Sequence, residues 1–316
     1  GSIQQWQWNF GDPGSGISNN SSQTSPTHVF TTSGTFIVEL IVTTGNGCTD
    51  TVSKTITVNP LPAVNFTTTN NCENNVVLFN PDLTVMSPGA INSWLWNFGD
   101  SQTSPIQNAT HTYTTSGPYL VTLTITDTSG CINSFQKTVN ITPEPTANFS
   151  TSAPACKDSE VTFTNLSGTI EGYIVKCEWD FNDGNTQTVT TLAAVSHIFA
   201  SYGTFNVSLT VTTNDSCTNT IIIPVTVSPN PLANFTHLTS CVNAAVVFDD
   251  ISQPGSGNLA VWSWNFGDPP SGTNNVSSQE DPSHTYNSAG TYQVTLVVTN
   301  TGGCMDTIVK PVVVQP

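Results

Sequence analysis

The stretch Trp94-Leu95-Trp96-Asn97-Phe98-Gly99-Asp100 organises the chain, because it recurs three more times. It returns as Trp6-Gln7-Trp8-Asn9-Phe10-Gly11-Asp12, as Trp262-Ser263-Trp264-Asn265-Phe266-Gly267-Asp268, and more loosely as Cys177-Glu178-Trp179-Asp180-Phe181-Asn182-Asp183. The second Trp falls at 8, 96, 179 and 264, so the period is 88, 83 and 85 residues (96−8, 179−96, 264−179). That spacing is far above a solenoid repeat and close to one small domain. Residues at i, i+2 and i+4 of a strand share a face, so the two Trp and the Phe read as core-facing and the Asp as the strand's end.

Outward from the motif, each unit continues with a His-x-aromatic element and then a long alternating run. Tyr292, Val294, Leu296 and Val298 lie on one face, with Gln293, Thr295, Val297 and Thr299 on the other. Phe36-Val38-Leu40-Val42, Tyr119-Val121-Leu123-Ile125 and Phe205-Val207-Leu209-Val211 repeat it. Period-two alternation of this kind predicts half-buried strands, and no helical periodicity competes. A turn, a Cys and a last strand close each unit. Short strands, frequent turns and about 85 residues per unit predict an all-β chain, a tandem array of immunoglobulin-like antiparallel β-sandwiches. The motif would be strand C, the His element strand E, and the long run strand F, followed by G.

Prolines spaced by one residue mark the junctions: Pro60-Leu61-Pro62, Pro143-Glu144-Pro145 and Pro229-Asn230-Pro231. Proline fixes φ and favours extended backbone before it, so these are short, semi-rigid linkers. The expected domains are 1–60, 61–143, 144–229 and 230–316. The first lacks its opening strands, and the chain therefore reads as an excerpt of a longer array.

Composition narrows the function. The 316 residues hold five Lys, no Arg and 21 Asp plus Glu, for a net charge of −16. Phosphate backbones are gripped by clustered Arg and Lys, so nucleic acid is excluded as a partner. Charged residues make up only 8% of the chain, which leaves a surface of Thr, Ser and Asn suited to an exported, extracellular protein. No apolar run reaches the roughly 18 residues of a membrane span. Eight cysteines, most at fixed repeat positions, read as disulfides in an oxidising compartment, since no Cys-x-x-Cys pair supports zinc.

The three elements together resemble the PKD domain, the immunoglobulin-like module named for polycystic kidney disease. Its W-x-F-G-D core, His-x-Tyr and G-x-Y-x-V-x-L strand correspond to Trp96-Asn97-Phe98-Gly99-Asp100, His111-Thr112-Tyr113 and Gly117-Pro118-Tyr119-Leu120-Val121-Thr122-Leu123. The third unit departs most, with Asn182-Asp183-Gly184 in place of Gly-Asp and Cys177 in place of a Trp. The added cysteines and Pro-x-Pro linkers are similar to those of PKD arrays in large secreted surface proteins of the Bacteroidota, including gliding-motility adhesins and type IX secretion cargo. Asp50-Thr51-Val52 and Asp306-Thr307-Ile308 also match a short O-glycosylation pattern of that phylum, which marks Thr51 and Thr307 as candidates.

Two disulfide schemes remain open. Cys72, Cys156 and Cys241 lie between strands A and B; Cys48, Cys131, Cys217 and Cys304 follow the F–G turn. Pairing within units gives Cys72–Cys131, Cys156–Cys217 and Cys241–Cys304. In immunoglobulin topology those turns sit at opposite ends of the sandwich, too far apart for the ~5.5 Å Cα separation a disulfide needs. Pairing across joints gives Cys72–Cys217 and Cys156–Cys304, with Cys131 and Cys241 reaching units beyond. Cys177 stands outside both schemes and reads as a partly buried free thiol.

An enzyme would need unlike groups converging at one site, and no nucleophile elbow, His-Glu-x-x-His or phosphate loop appears. His28, His111, His197 and His284 recur at one position per unit, which suits a structural hydrogen bond. Asp12, Asp100, Asp183 and Asp268 have two readings. Beside oxygen-rich residues such as Asn19, Asn20 and Ser22 or Asn274, Asn275 and Ser278 they could help hold calcium; alternatively they accept bonds from turn amides. No other cofactor is implied.

The expected function is a non-enzymatic, cell-surface stalk or filament whose partners are neighbouring domains of the same chain and a polysaccharide or surface protein. The alternative is a carbohydrate- or matrix-binding accessory array of a secreted hydrolase. For that, Trp6, Trp94 and Trp262 would have to form an exposed flat row, whereas alternation places them toward the core.

Overall fold

The computed structural model describes residues 1–82, 90–238 and 240–316. The chain divides into two compact units, Gly1–Pro143 and Glu144–Pro316. Among the described residues nearly all regular structure is strand, in seven sheets.

The first unit opens with one four-stranded sheet. It contains β1 (Ile3–Asn9), β2 (Asn20–Ser21), β3 (Gly34–Thr44) and β4 (Thr49–Val58), in the order β2-β1-β3-β4. Among the described residues no second sheet covers its inner face, where Trp8, Val38, Leu40, Val52, Lys54 and Ile56 line a hollow of about 280 Å³.

The second repeat is a complete sandwich. One sheet holds β5 (Phe66–Thr69), β6 (Val76–Pro81) and β9 (Ala109–Thr112). The other orders β11 (Ile132–Ile141), β10 (Gly117–Asp127), β7 (Ile91–Asn97) and β8 (Thr103–Ser104). In strand letters the layers are A-B-E and G-F-C-C′, the immunoglobulin arrangement. Every strand pair in it is antiparallel, and β10 and β11 register over ten positions from Gly117↔Ile141 to Thr126↔Ile132.

The second unit holds the other two repeats. The third comprises β12 (Phe149–Thr151), β13 (Glu160–Asn165), β14 (Ile174–Asp180), β15 (Thr186–Val189), β16 (Val195–Ile198), β17 (Gly203–Thr213) and β18 (Thr218–Val227). The fourth comprises β19 (Phe235–His237), β20 (Ser240–Cys241), β21 (Ala245–Asp250), β22 (Leu259–Asn265), β23 (Val276–Ser277), β24 (Ser283–Thr285), β25 (Gly290–Asn300) and β26 (Met305–Gln315). Their layers repeat A-B-E and G-F-C-C′, with β20 added in parallel at the β26 edge.

Each complete repeat has its own core. In the second, Phe66, Phe79, Trp96, Phe98, Val121 and Leu123 cluster; Phe149, Phe163, Trp179, Phe181, Val207 and Leu209 do so in the third, and Phe235, Phe248, Trp264, Phe266, Val294 and Leu296 in the fourth. Burying each such side chain stabilises by roughly 1.5–3 kcal/mol, so a repeat can stand on its own core. The indole N–H of the central Trp finds a loop carbonyl: Trp8 on Gln23 at 3.0 Å, Trp96 on Ile106 at 2.9 Å and Trp264 on Gln279 at 2.9 Å. Trp179 has no such partner among the described residues, because a four-residue C′ strand in the third repeat replaces the loop.

The motif's glycine is a steric requirement. At Gly99, φ is +84° and an added Cβ would stand 2.8 Å from the Leu120 carbonyl oxygen; Gly267 meets Gln293 in the same way at 2.5 Å. The third repeat places Asn182 there at φ 59°, a left-handed conformation that Asn tolerates.

Candidate functional site

Each repeat carries an Asp–His pair at the end of strand C. The Asp terminates C, the His projects from the E segment, and Nε2 meets Oδ2 at 3.1 Å for His28–Asp12, 2.6 Å for His111–Asp100, 2.7 Å for His197–Asp183 and 3.1 Å for His284–Asp268. The imidazole is held on both sides. It stacks on the motif Phe, with ring centroids 4.0–4.5 Å apart, and meets Phe30, Tyr113, Phe199 or Tyr286 edge-on. Tyr113 and Tyr286 then donate to the carbonyls of Phe98 and Phe266, and burial pushes both phenols well up.

Backbone amides complete the carboxylate's partners. Asp12 accepts from the Thr31 N–H and hydroxyl at 3.1 Å each, and Asp183 from the Asn185 N–H at 3.1 Å. Burial raises the pKa of these two carboxyls, but the bonds from Thr31 and His28, and from His197 and Asn185, outweigh it and hold both below the ordinary carboxylate value. The oxygens of Asn19 and Asn275 face the N–H groups of Asp12 and Asp268, both at 2.6 Å. Among the described residues no group of three or more His, Cys, Asp or Glu side chains could hold a metal ion. One acid, one imidazole and fixed rings, four times over, close a loop.

The joint between the third and fourth repeats is the second recurring element. Cys156 forms a parallel bridge with Ser228, the residue after β18, which puts it at the end of its own sandwich where the chain leaves. There it is bonded to Cys304, which directly precedes β26, with the two Cα atoms 5.7 Å apart and 148 residues of sequence between them. This is the arrangement across a joint; the within-unit partners Cys217 for Cys156 and Cys241 for Cys304 are not used.

Around the bond the chain is tied from both sides. Lys157 N–H donates to Ser228 O and Ser228 N–H to Ala155 O, each at 2.9 Å; Asn230 Nδ2 reaches Lys157 O at 3.0 Å, and Asn300 Nδ2 reaches Pro229 O at 3.3 Å. Gly303, at φ +82°, packs against Pro154, whose Cγ would be 3.0 Å from an added Cβ. The turn that presents Cys304 is preset by Asn300, whose Oδ1 accepts the N–H groups of Gly302 and Cys304 at 3.0 Å. Asp127 does the same for Ser129 and Cys131.

One set of residues was not singled out from the sequence. In the three complete repeats the Asx side chain two positions after the F–G cysteine grips the linker that opens its own repeat: Asn133 Nδ2 on Pro62 O at 2.8 Å, Asn219 Oδ1 on Ala147 N at 3.3 Å, and Asp306 Oδ2 on Ala233 N at 2.8 Å. Its recurrence beside the cysteine was the available signal. In Asp306-Thr307-Ile308 the Asp thus has a structural role, while Thr307 and Thr51 are exposed on the last strands of their repeats.

The other candidates fall as follows. Cys72 bridges Thr142 as Cys156 bridges Ser228, and Cys217 is buried at the head of β18. Cys48 and Cys241 are exposed, and Cys131 is half-buried. Cys177 is a fully buried free thiol that accepts from Asn165 Nδ2 at 3.3 Å; burial pushes its pKa up against that bond. Trp6, Trp94 and Trp262 are half-buried. Trp94 and Trp262 pack on their cores, and Trp262 Nε1 donates to Asp250 at 2.7 Å.

The family profile of the PKD domain matches residues 1–59, 58–143, 142–227 and 228–315. The pre-pro-metalloprotease PrtV of Vibrio cholerae serotype O1 is 35% identical over 144 residues, 44% of this chain and 15% of that protein. Collagenase ColA of Bacillus cereus is 39% identical over 72 residues, 23% of this chain and 8% of that protein. The chain thus matches only a small part of either relative's length. The crystal structure of the PKD1 domain of the V. cholerae metalloprotease PrtV shares 29% identity, covering 28% of this chain and 99% of that one, with a TM-score of 0.24.

Proposed function

The chain belongs to the PKD domain family, and from that premise we propose that it is a non-catalytic extracellular spacer in which successive domains are locked to one another at their joints. The observation that carries this reading is the Cys156–Cys304 bond, which ties two complete sandwiches together inside one unit. Isolated beads on a flexible string would serve to tether; locked joints serve to hold distance. The Asp–His pairs support the same reading, since they spend the polar side chains of each repeat on its own loop. The cysteine-bearing joints and Pro-x-Pro linkers favour a large surface adhesin of the Bacteroidota type, exported by type IX secretion, with these domains as its stalk.

A second reading has an observation of its own: the relatives are named as a metalloprotease and a collagenase. In that case the array would be the substrate-holding accessory part of a secreted hydrolase. Retention of the purified chain on insoluble collagen and on insoluble polysaccharides separates the two. The spacer reading expects the chain to wash through at micromolar concentration, and saturable retention on either matrix would favour the accessory array.

A further inference from the structure

We propose that the Cys156–Cys304 bond is a mechanical shunt: tension along the chain crosses from the third repeat to the fourth through the disulfide, so that of the two cores only Ala147 and Phe149 at one end and Val312 and Val314 at the other lie on its path. This rests on the spacer reading, in which the array carries load.

The connectivity defines the path. Tension entering at Glu144 runs to Cys156, crosses the bond to Cys304 and leaves along β26 to Pro316. Of the unit Glu144–Pro316, only residues 144–156 and 304–316 lie on it, 13 on each side (156−144+1 and 316−304+1). The 148-residue separation is closed into a loop beside the path. That loop holds Phe163, Trp179, Phe181 and Leu209 of one core and Phe248, Trp264, Phe266 and Leu296 of the other.

The path also has no slack in its outgoing half. β26 is an eleven-residue strand registered with β25 at ten positions. A strand rises about 3.3–3.4 Å per residue, close to the 3.3–3.6 Å that a fully drawn chain reaches. Pulling β26 between Cys304 and Pro316 therefore stretches an element already at its full length. On the incoming side, Phe149–Thr151 is strand, and the parallel bridge Cys156↔Ser228 holds the cysteine at the exit of its sandwich. The contact of Gly303 with Pro154 and the bond from Asn230 to Lys157 keep the two ends of the disulfide in place. Any disulfide takes the loop it closes out of the extensible length; here that loop holds most of two domains, and only the two short flanking segments remain to be drawn out.

The test is single-molecule pulling of the whole chain, with handles on the exposed Thr146 side chain and on the C-terminus, so that only this segment is loaded. In oxidising buffer the wild type is expected to show no unfolding step that releases the loop. The double variant Cys156→Ser, Cys304→Ser is expected to gain about 500 Å of contour, from 148 residues at ~3.4 Å each. If the variant fails to fold, reducing the tethered wild type gives the same comparison. An oxidised wild type that lengthens by the full ~500 Å overturns the shunt. That outcome leaves the spacer reading untouched, because the spacer reading is judged by matrix retention.

Discussion

Asp306 Oδ2 accepts the backbone N–H of Ala233 at 2.8 Å, tying the first residues of the fourth repeat to its last strand 73 positions later. Asn133 and Asn219 grip their own linkers from the same place. Losing a hydrogen bond to a charged acceptor costs about 1.5–3 kcal/mol. Asp306→Ala should therefore lower the denaturant stability of the fourth repeat by that order, while Asp306→Asn, which keeps an oxygen in place, should cost less. Equal losses for the two variants would show that the oxygen is not what holds the linker.

The Asp–His pairs give the array an acid limb. Asp183 and Asp12 titrate below the ordinary carboxylate value when folded. A depressed folded pKa contributes stability that is present above the unfolded pKa of about 3.9 and is lost as pH falls through the folded value. The melting midpoint should fall below about pH 4. Asp183→Asn should be less stable than wild type at neutral pH, by about 1.5–3 kcal/mol, and flatter across the acid window. A variant that keeps the wild-type acid slope would remove Asp183 from the cause.

The carboxylates are occupied by His and amide donors, and the neighbouring Asn oxygens by backbone N–H groups. A calcium ion would have to displace these partners. Thermal melts with and without chelator should coincide, and a midpoint lowered by the chelator would reinstate the cation.

Thiol chemistry should divide the cysteines by burial. Cys48 is an exposed free thiol, whereas Cys177 is buried with its pKa pushed up, and it is the thiolate that reacts. Under native conditions a maleimide should label Cys48 promptly and reach Cys177 only on unfolding. Labelling of Cys177 as fast as Cys48 would mean that the third core opens readily.

How far the fold was legible follows from particular residues. Alternation at Tyr119-Val121-Leu123-Ile125 places one face inward, and the structure buries Val121, Leu123 and Ile125 completely. The Trp-x-Trp-x-Phe spacing likewise settles which face of strand C is core, with Trp96 and Phe98 buried. The cysteine partners were not legible. Two schemes use the same residues, and the choice depends on a parallel pairing of the A–B cysteine with the end of the last strand, Cys72↔Thr142, Cys156↔Ser228 and Cys241↔Gln315, which alternation along the strands does not announce. The His positions were visible by recurrence, but their partner Asp lies 11 to 16 residues away across a loop whose length differs between repeats. The short 3₁₀ turns Pro13–Asn19 and Pro269–Asn275 sat inside what read as plain Gly- and Asn-rich loop.

The locked joint is the claim on which the account turns, and non-reducing peptide mapping of the purified chain tests it most directly. The account predicts a peptide pair joined through Cys156 and Cys304 that separates on reduction. Pairs joining Cys156 to Cys217, or Cys241 to Cys304, would contradict it and return the disulfides to the interior of single repeats.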